Sequence, residues 1–175
     1  MIFTATGLSE AFLVQMEPKE DARGFFARSW CKREAEAQGI AVDWVQCNVS
    51  YNREKGTLRG MHYQLPRWEA KLVRVTRGSI FDAIVDLRPK SPTYKQHFGA
   101  ILSASNYTML FIPEGFAHGF MSLEGDTEIF YSMSEYYFPE QAMGFRWDDP
   151  QFAIPWPKGE KILSERDREL PFYVP

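Results

Sequence analysis

Short runs in which apolar and polar side chains alternate, each closed by glycine, proline or a small polar residue, recur along most of the chain. Successive side chains of a strand point to opposite faces, so this period of two predicts half-buried β-strands. Strands are expected at residues 45–50, 57–64, 71–75, 79–87, 98–102, 108–112 and 128–133. Helix is expected in two places. Residues 29–38 carry Lys32-Arg33-Glu34-Ala35-Glu36-Ala37-Gln38, good helix formers stopped by Gly39, and residues 163–169 carry Ser164-Glu165-Arg166-Asp167, a helix-start pattern. Many short strands with turn residues between them and little helix predict an all-β jelly roll, or double-stranded β-helix, with short peripheral helices. No repeat or linker-like stretch interrupts the 175 residues, so a single domain over 1–175 is expected.

Strand parity then sorts side chains by face. Within 57–64, Leu58, Gly60, His62 and Gln64 fall on one side and Arg59, Met61 and Tyr63 on the other. Within 45–50, Gln46, Asn48 and Ser50 form a polar stripe opposite Val45, Cys47 and Val49. Such a stripe lines a ligand cavity or faces solvent, and parity does not choose between them.

Composition narrows the partners. With 20 Lys and Arg against 23 Asp and Glu the formal charge is −3, so no basic surface recommends nucleic acid. The apolar run Met109-Leu110-Phe111-Ile112 ends at Pro113, far short of a membrane span, and no basic segment followed by an apolar stretch opens the chain as a secretory signal would. Cys31 and Cys47 are too few for a disulfide framework, and two reduced thiols suit a reducing cytoplasm.

Only three histidines are present. His97 has no polar punctuation around it and is expected to be structural or exposed. His62 stands in Gly56-x5-His62-x-Gln64, followed by Lys71-x6-Gly78, and His118 closes Pro113-Glu114-Gly115-Phe116-Ala117-His118. These two stretches resemble the two cupin motifs. A metal-binding cupin presents a second histidine and an acid where Gln64 and Lys71 stand here, and a lysine repels a divalent cation, so no metal is expected.

A closer resemblance is to the dTDP-4-dehydrorhamnose 3,5-epimerase family of cupins. It is carried by the order and spacing of Asp21-Ala22-Arg23-Gly24-Phe25-Phe26, the alternating Gln46, Asn48 and Ser50, Leu58-Arg59-Gly60-Met61-His62-Tyr63-Gln64 and Lys71-Leu72-Val73-Arg74-Val75. Asp86-Leu87-Arg88 with Ser91-Pro92-Thr93, Tyr131, Tyr136-Tyr137, Trp147-Asp148-Asp149-Pro150 and Leu163-Ser164-Glu165-Arg166-Asp167 continue it.

The resemblance implies inversion of carbons next to a ketone in a nucleotide-linked 4-keto-6-deoxyhexose, without a cofactor. Such chemistry needs a base, a group facing the enolate oxygen, and an acid on the other face. By resemblance the base is His62, supported by Asp167, the enolate stabiliser is Lys71, and the acid is Tyr131. Taken singly, Asp167 also reads as a helix-start carboxylate, Lys71 as a strand lysine with its ammonium in water, and Tyr131 as a core aromatic. The resemblance further assigns substrate contacts to Arg23, Phe26, Gln46, Asn48, Arg59, His118, Tyr137 and Arg166.

It also implies a homodimer, with the Arg23 and Phe26 region completing the neighbour's pocket. The chain departs from the family pattern at Arg28 and Ala142, where acids are usual, and at Arg166, where lysine is common. None of these touches the proposed proton-transfer residues; Arg28 and Ala142 bear on the nucleotide, dTDP or a CDP- or GDP-linked sugar. The alternative readings are a C3-only epimerase or a 3,4-ketoisomerase on a CDP- or GDP-linked 4-keto sugar, and, from another class, a noncatalytic sugar-binding cupin.

Overall fold

The computed structural model describes residues 1–175. The chain opens with the antiparallel pair β1 (Ile2–Ala5) and β2 (Phe12–Gln15), then the ribbon of β3 (Lys19–Asp21) and β4 (Gly24–Phe26), then the short helix α1 (Lys32–Glu36). There follow β5 (Gln46–Asn52), β6 (Leu58–Gln64), β7 (Lys71–Arg77), β8 (Ser79–Asp86), β9 (His97–Ser103) and β10 (Thr108–Ile112). The last elements are β11 (Phe116–Ser122), β12 (Thr127–Met133), β13 (Ala142–Gly144) and α2 (Glu165–Glu169).

Two sheets face each other. One runs β1-β2-β10-β7-β12-β5, the other β13-β6-β11-β8-β9, and neighbouring strands pair antiparallel throughout. This is the expected cupin-type jelly roll. Between the sheets lies a core of Val73, Val75, Ile80, Ile84, Leu102, Leu110, Ile112, Phe116 and Ile129. Each of these alternates with a partner on the outer face, and part of each outer face is covered too, while Val49 and Phe130 at the β5–β12 edge and Ile101 on β9 stay exposed. Leu72, Met109 and Phe111 of the six-stranded sheet pack against Ala35 and Ile40, with Trp30 and Trp44 beside them. Met61, Tyr63, Val85 and Ala117 of the other sheet pack under Phe145 and Phe152. Burying apolar surface on both sides of both sheets is the main stabilising contribution here.

All seven strands expected from alternation are present, with ends shifted by up to two residues. The helix expected at 29–38 is shorter, Lys32–Glu36, whereas the 163–169 expectation is met by α2 with Ser164 as its N-cap, its Oγ accepting from Asp167 N at 3.1 Å. Alternation had not marked β11, whose Phe116-Ala117-His118-Gly119-Phe120-Met121 is apolar on both faces because both are covered. Cys31 and Cys47 are both free. No helix is long and apolar enough to cross a membrane.

One polar cluster ties the sandwich's end together. Asp86, wholly buried at the end of β8, accepts from Arg88 Nε and Nη2 at 2.9 Å each, from Ser91 Oγ at 2.5 Å and from Thr93 Oγ1 at 2.7 Å. Arg88 in turn donates to Ser9 O at 2.9 Å, joining the β1–β2 turn to the β8–β9 connection. Burial alone would raise the Asp86 carboxyl, but the bonds from Arg88, Ser91 and Thr93 outweigh it and hold it below the ordinary value.

A carboxyl lowered in the folded state contributes stability above its unfolded pKa and loses that contribution as pH falls through its folded pKa. Asp86→Asn is therefore expected to cost roughly 1–3 kcal/mol in urea unfolding at pH 7, since it weakens the charge-assisted bonds that the buried carboxylate accepts from Arg88, Ser91 and Thr93, while Arg88, partly exposed, keeps its pair with Glu10. That cost should shrink progressively as the pH is taken below about 4, where the unfolded chain's carboxyl begins to take up a proton, and on through the lower value at which the folded one does. An undiminished difference at low pH would contradict the assignment.

Candidate active site

A cavity of about 550 Å³ opens between the sheets, lined from one wall by β5, β7 and β12 and from the other by β6 and β11, with α2 at its rim. A volume of this size suits a ligand of drug or nucleotide-sugar dimensions. Register explains the first wall. Tyr131 lies between Asn48 and Val73, and Met133 between Gln46 and Lys71, in adjacent rows across β5, β12 and β7. Those residues share one face, and the deeper members of the same face, Val73 and Val75, enter the core. The polar stripe of β5 thus lines the cavity.

The second wall breaks the parity expected of β6. His62 pairs with His118, but Arg59, three residues back, pairs with Phe120, only two residues on. The extra residue on β6 is a β-bulge, and it turns both Arg59 and His62 into the cavity although strict alternation sets them on opposite faces. Two glycines permit it. A Cβ on Gly60, whose φ is +122°, would lie 2.5 Å from Gly119 Cα, and one on Gly119 would lie 2.9 Å from Arg59 O.

His62 Nε2 lies 2.6 Å from Asp167 Oδ1. The imidazole is partly exposed to the cavity and the carboxylate is buried, so the pair presents a ring held from behind. Burial would raise the Asp167 carboxyl, but hydrogen bonding and charge from His62, with bonds from Ser164 and the Gly60 backbone, bring it below its ordinary value. An ionised Asp167 fixes the ring's orientation and stabilises an imidazolium. His118 has its own buried carboxylate, Asp82, with Nε2 2.6 Å from Oδ1, while Asp82 Oδ2 has no partner.

Across the cavity, Lys71 Nζ pairs with Glu69 Oε1 at 2.7 Å, both side chains nearly buried. Tyr131 lines the cavity with no hydrogen bond from its hydroxyl to the protein. Burial pushes its phenol above the ordinary tyrosine range; Arg59 pulls it down, and Glu69 and Tyr137 add to the upward push. It therefore keeps its proton through neutral pH.

The remaining predicted contacts are held in place by hydrogen bonds to backbone and side chains around them. Gln46 Oε1 accepts from Tyr137 N at 3.0 Å and its Nε2 donates to Asn48 Oδ1 at 3.0 Å. Arg59 Nε donates to the buried Asn52 Oδ1 at 2.9 Å and Nη2 to Tyr51 O at 3.3 Å, which leaves Nη1 unengaged. Arg166 Nη2 donates to Ala142 O at 3.2 Å at the rim. Gln64, at the position of the second cupin histidine, is fully buried and hydrogen-bonded to the chain. No three His, Cys, Asp or Glu side chains converge as a metal site requires.

Two predicted residues are not brought to this cavity. Arg23 is exposed and paired with Asp21 at 2.6 Å, and Phe26 is 74% exposed, both on the β3–β4 ribbon. Arg28 is also remote from the cavity, paired with Glu34. Sequence reasoning missed Glu69, Asp82 and Asn52. Asp82 did leave a signal, a lone carboxylate inside Ile80-Phe81-Asp82-Ala83-Ile84-Val85, as did Glu69, an opposite charge two residues from Lys71.

Comparison with known proteins agrees with the geometry. The family model described as dTDP-4-dehydrorhamnose 3,5-epimerase matches residues 5–174. A dTDP-4-dehydrorhamnose 3,5-epimerase of Methanothermobacter thermautotrophicus is 42% identical over 169 residues, covering 95% of this chain and 91% of that one. A Bacillus anthracis enzyme of the same name, solved with TDP and PPi bound, superposes with a TM-score of 0.94 at 44% identity over 98% of this chain and 99% of that one. A Legionella pneumophila dTDP-6-deoxy-D-glucose-3,5-epimerase, in complex with dTDP-4-keto-L-rhamnose, superposes with a TM-score of 0.90 at 39% identity, covering 99% of each chain.

Proposed function

The chain belongs to the dTDP-4-dehydrorhamnose 3,5-epimerase family, and from that premise we propose how its own residues invert a sugar carbon. The protein is an isomerase of deoxysugar biosynthesis acting on a dTDP-linked 4-keto sugar. The observation that carries the proposed mechanism is that His62 and Tyr131 belong to opposite sheets and line one cavity.

His62 removes the proton from a carbon beside the ketone, and the C–H electron pair moves into an enolate with charge on the carbonyl oxygen. Asp167 stabilises the imidazolium so formed. The Lys71 ammonium faces the developing oxyanion, where a preorganised charge in a water-poor site stabilises more than it would in water. Tyr131 delivers its proton to the opposite face of the carbon, and the enolate pair re-forms a C–H bond with inverted configuration. Solvent returns a proton to Tyr131 and takes one from His62. Repetition at the second carbon flanking the ketone completes the 3,5-epimerisation.

For the diphosphate we assign the unengaged Nη1 of Arg59, with His118 and Arg166 lining the same cavity. Gln46, Asn48 and Tyr137 offer amides and a flat ring to the nucleoside and sugar. The whole chain acts as one catalytic domain. The exposed Phe25 and Phe26 of the β3–β4 ribbon suit a homodimer in which Arg23 and Phe26 reach the neighbour's cavity. Free Cys31 and Cys47 suit the cytoplasm.

Incubation with a dTDP-linked 4-keto-6-deoxyhexose in heavy water is expected to place deuterium at both C3 and C5 of the product, read by NMR. Label at C3 alone would mark a 3-epimerase, and no label at either carbon would defeat the reading. His62→Ala is expected to lower exchange by about 10²–10⁴-fold, the usual contribution of a general base. Asp167→Asn should also lower it, by on the order of 10²-fold or more, with binding of dTDP retained. In solution a particle of twice 20.3 kDa by light scattering is expected, and a monomer of that mass would remove the dimer.

A further inference from the structure

Glu69 precedes β7 by two residues, and its two carboxylate oxygens serve two partners. Oε1 lies 2.7 Å from Lys71 Nζ, and Oε2 accepts from Gln64 Nε2 at 3.2 Å. Neither partner can reverse its role. An ammonium has donors only. The Gln64 amide is oriented by the loop after β12: its Oε1 accepts from Phe138 N at 2.7 Å, and its Nε2 also donates to Tyr136 O at 3.2 Å. Flipping it would set carbonyl against carbonyl and N–H against N–H. Position 69 must therefore present acceptors on both sides, which a carboxylate does and a glutamine does not.

Charge gives a second reason. The Lys71 side chain is 10% exposed and that of Glu69 4%, so each is a costly buried ion without the other. The carboxylate also anchors the ammonium at the mouth of β7, where the Lys71–Met133–Gln46 row meets the cavity. Through Gln64 the same carboxylate is linked to the loop carrying Tyr137, whose backbone N–H is held by Gln46.

Resting on the epimerase reading above, we infer that Glu69 is a positioning residue: it fixes the Lys71 ammonium for the enolate oxygen and ties that point to the Tyr137 loop. It acts through Lys71 and Gln64. The enolate stabiliser and the nucleotide-side loop then share one buried anchor, so their separation is set by the protein before substrate enters. The lysine's charge also stays balanced until the oxyanion forms.

The test is a double-mutant cycle of Glu69→Gln and Lys71→Met, followed by deuterium exchange kinetics, calorimetric dTDP binding and thermal unfolding. Glu69→Gln is expected to keep dTDP affinity within about threefold while lowering kcat about 10–100-fold, a loss confined to the charged transition state. Glu69→Asp, which keeps the charge, should lose less. In the Lys71→Met background Glu69→Gln should lower kcat by less than about twofold further, because the residue it acts through is gone. Adding it should also raise the Tm of Lys71→Met, since the amide relieves an unpaired buried carboxylate. A kcat for Glu69→Gln within twofold of wild type, or equal losses in both backgrounds, would overturn the inference. Absence of exchange in the wild type would instead defeat the epimerase reading, and the Tm comparison would still report whether Glu69 and Lys71 are coupled.

Discussion

Inverting one tetrahedral carbon requires a proton to leave on one side and another to arrive on the other, so acid and base must stand on opposing walls. A sandwich of two sheets supplies such walls wherever its layers part. Here β6 brings His62 from the five-stranded sheet, and β12 brings Tyr131 from the six-stranded sheet, to one cavity. The core of Val73, Val75, Ile84, Ile112 and Ile129 below them holds the sheets in register, so the spacing of the two groups is set by packing. Part of each outer face is packed as well, under Trp30 and Trp44 on one sheet and under Phe145 and Phe152 on the other.

Burying charge is costly, and the buried carboxylates around the cavity and at the sandwich's end each face a basic side chain. Asp167 faces His62, Asp82 faces His118, Glu69 faces Lys71, and Asp86 faces Arg88. Pairing offsets part of the desolvation penalty of burying them. Tyr131 is the exception in kind. It is partly buried, its hydroxyl makes no hydrogen bond to the protein, and that burial holds its proton in place, the state the proposed proton donor needs at rest. The chain's net charge of −3 says nothing of this, because the cations that matter are few and local.

Much of this was legible in the residues. Alternation located the strands that carry Gln46, Asn48, His62, Lys71 and Tyr131, and the helix-start pattern at Ser164 located the turn that presents Asp167. What alternation could not show was the bulge at Gly60, where one extra residue carries Arg59 to the face of His62. Nor could it pair residues distant in sequence, such as His62 with Asp167 or Tyr131 with the opposite wall; motif order proposed those, and tertiary packing brings them together. Glu69 and Asp82 were passed over because each is a single carboxylate whose partner lies to one side in space. Arg23 and Phe26 stand on an exposed ribbon away from the cavity, and no pattern in the sequence told their faces apart from it.

The opposing-wall account is tested most directly by Tyr131→Phe in heavy water, following the configuration at C3 and C5 of recovered sugar by NMR. With the base intact and the far-side acid removed, His62 should still take the proton and return a deuteron from its own side, since its ring is open enough to exchange with solvent. The account predicts deuterium in recovered substrate with configuration retained and inversion slowed by about 10²-fold or more. Inversion by Tyr131→Phe at close to the wild-type rate would contradict it.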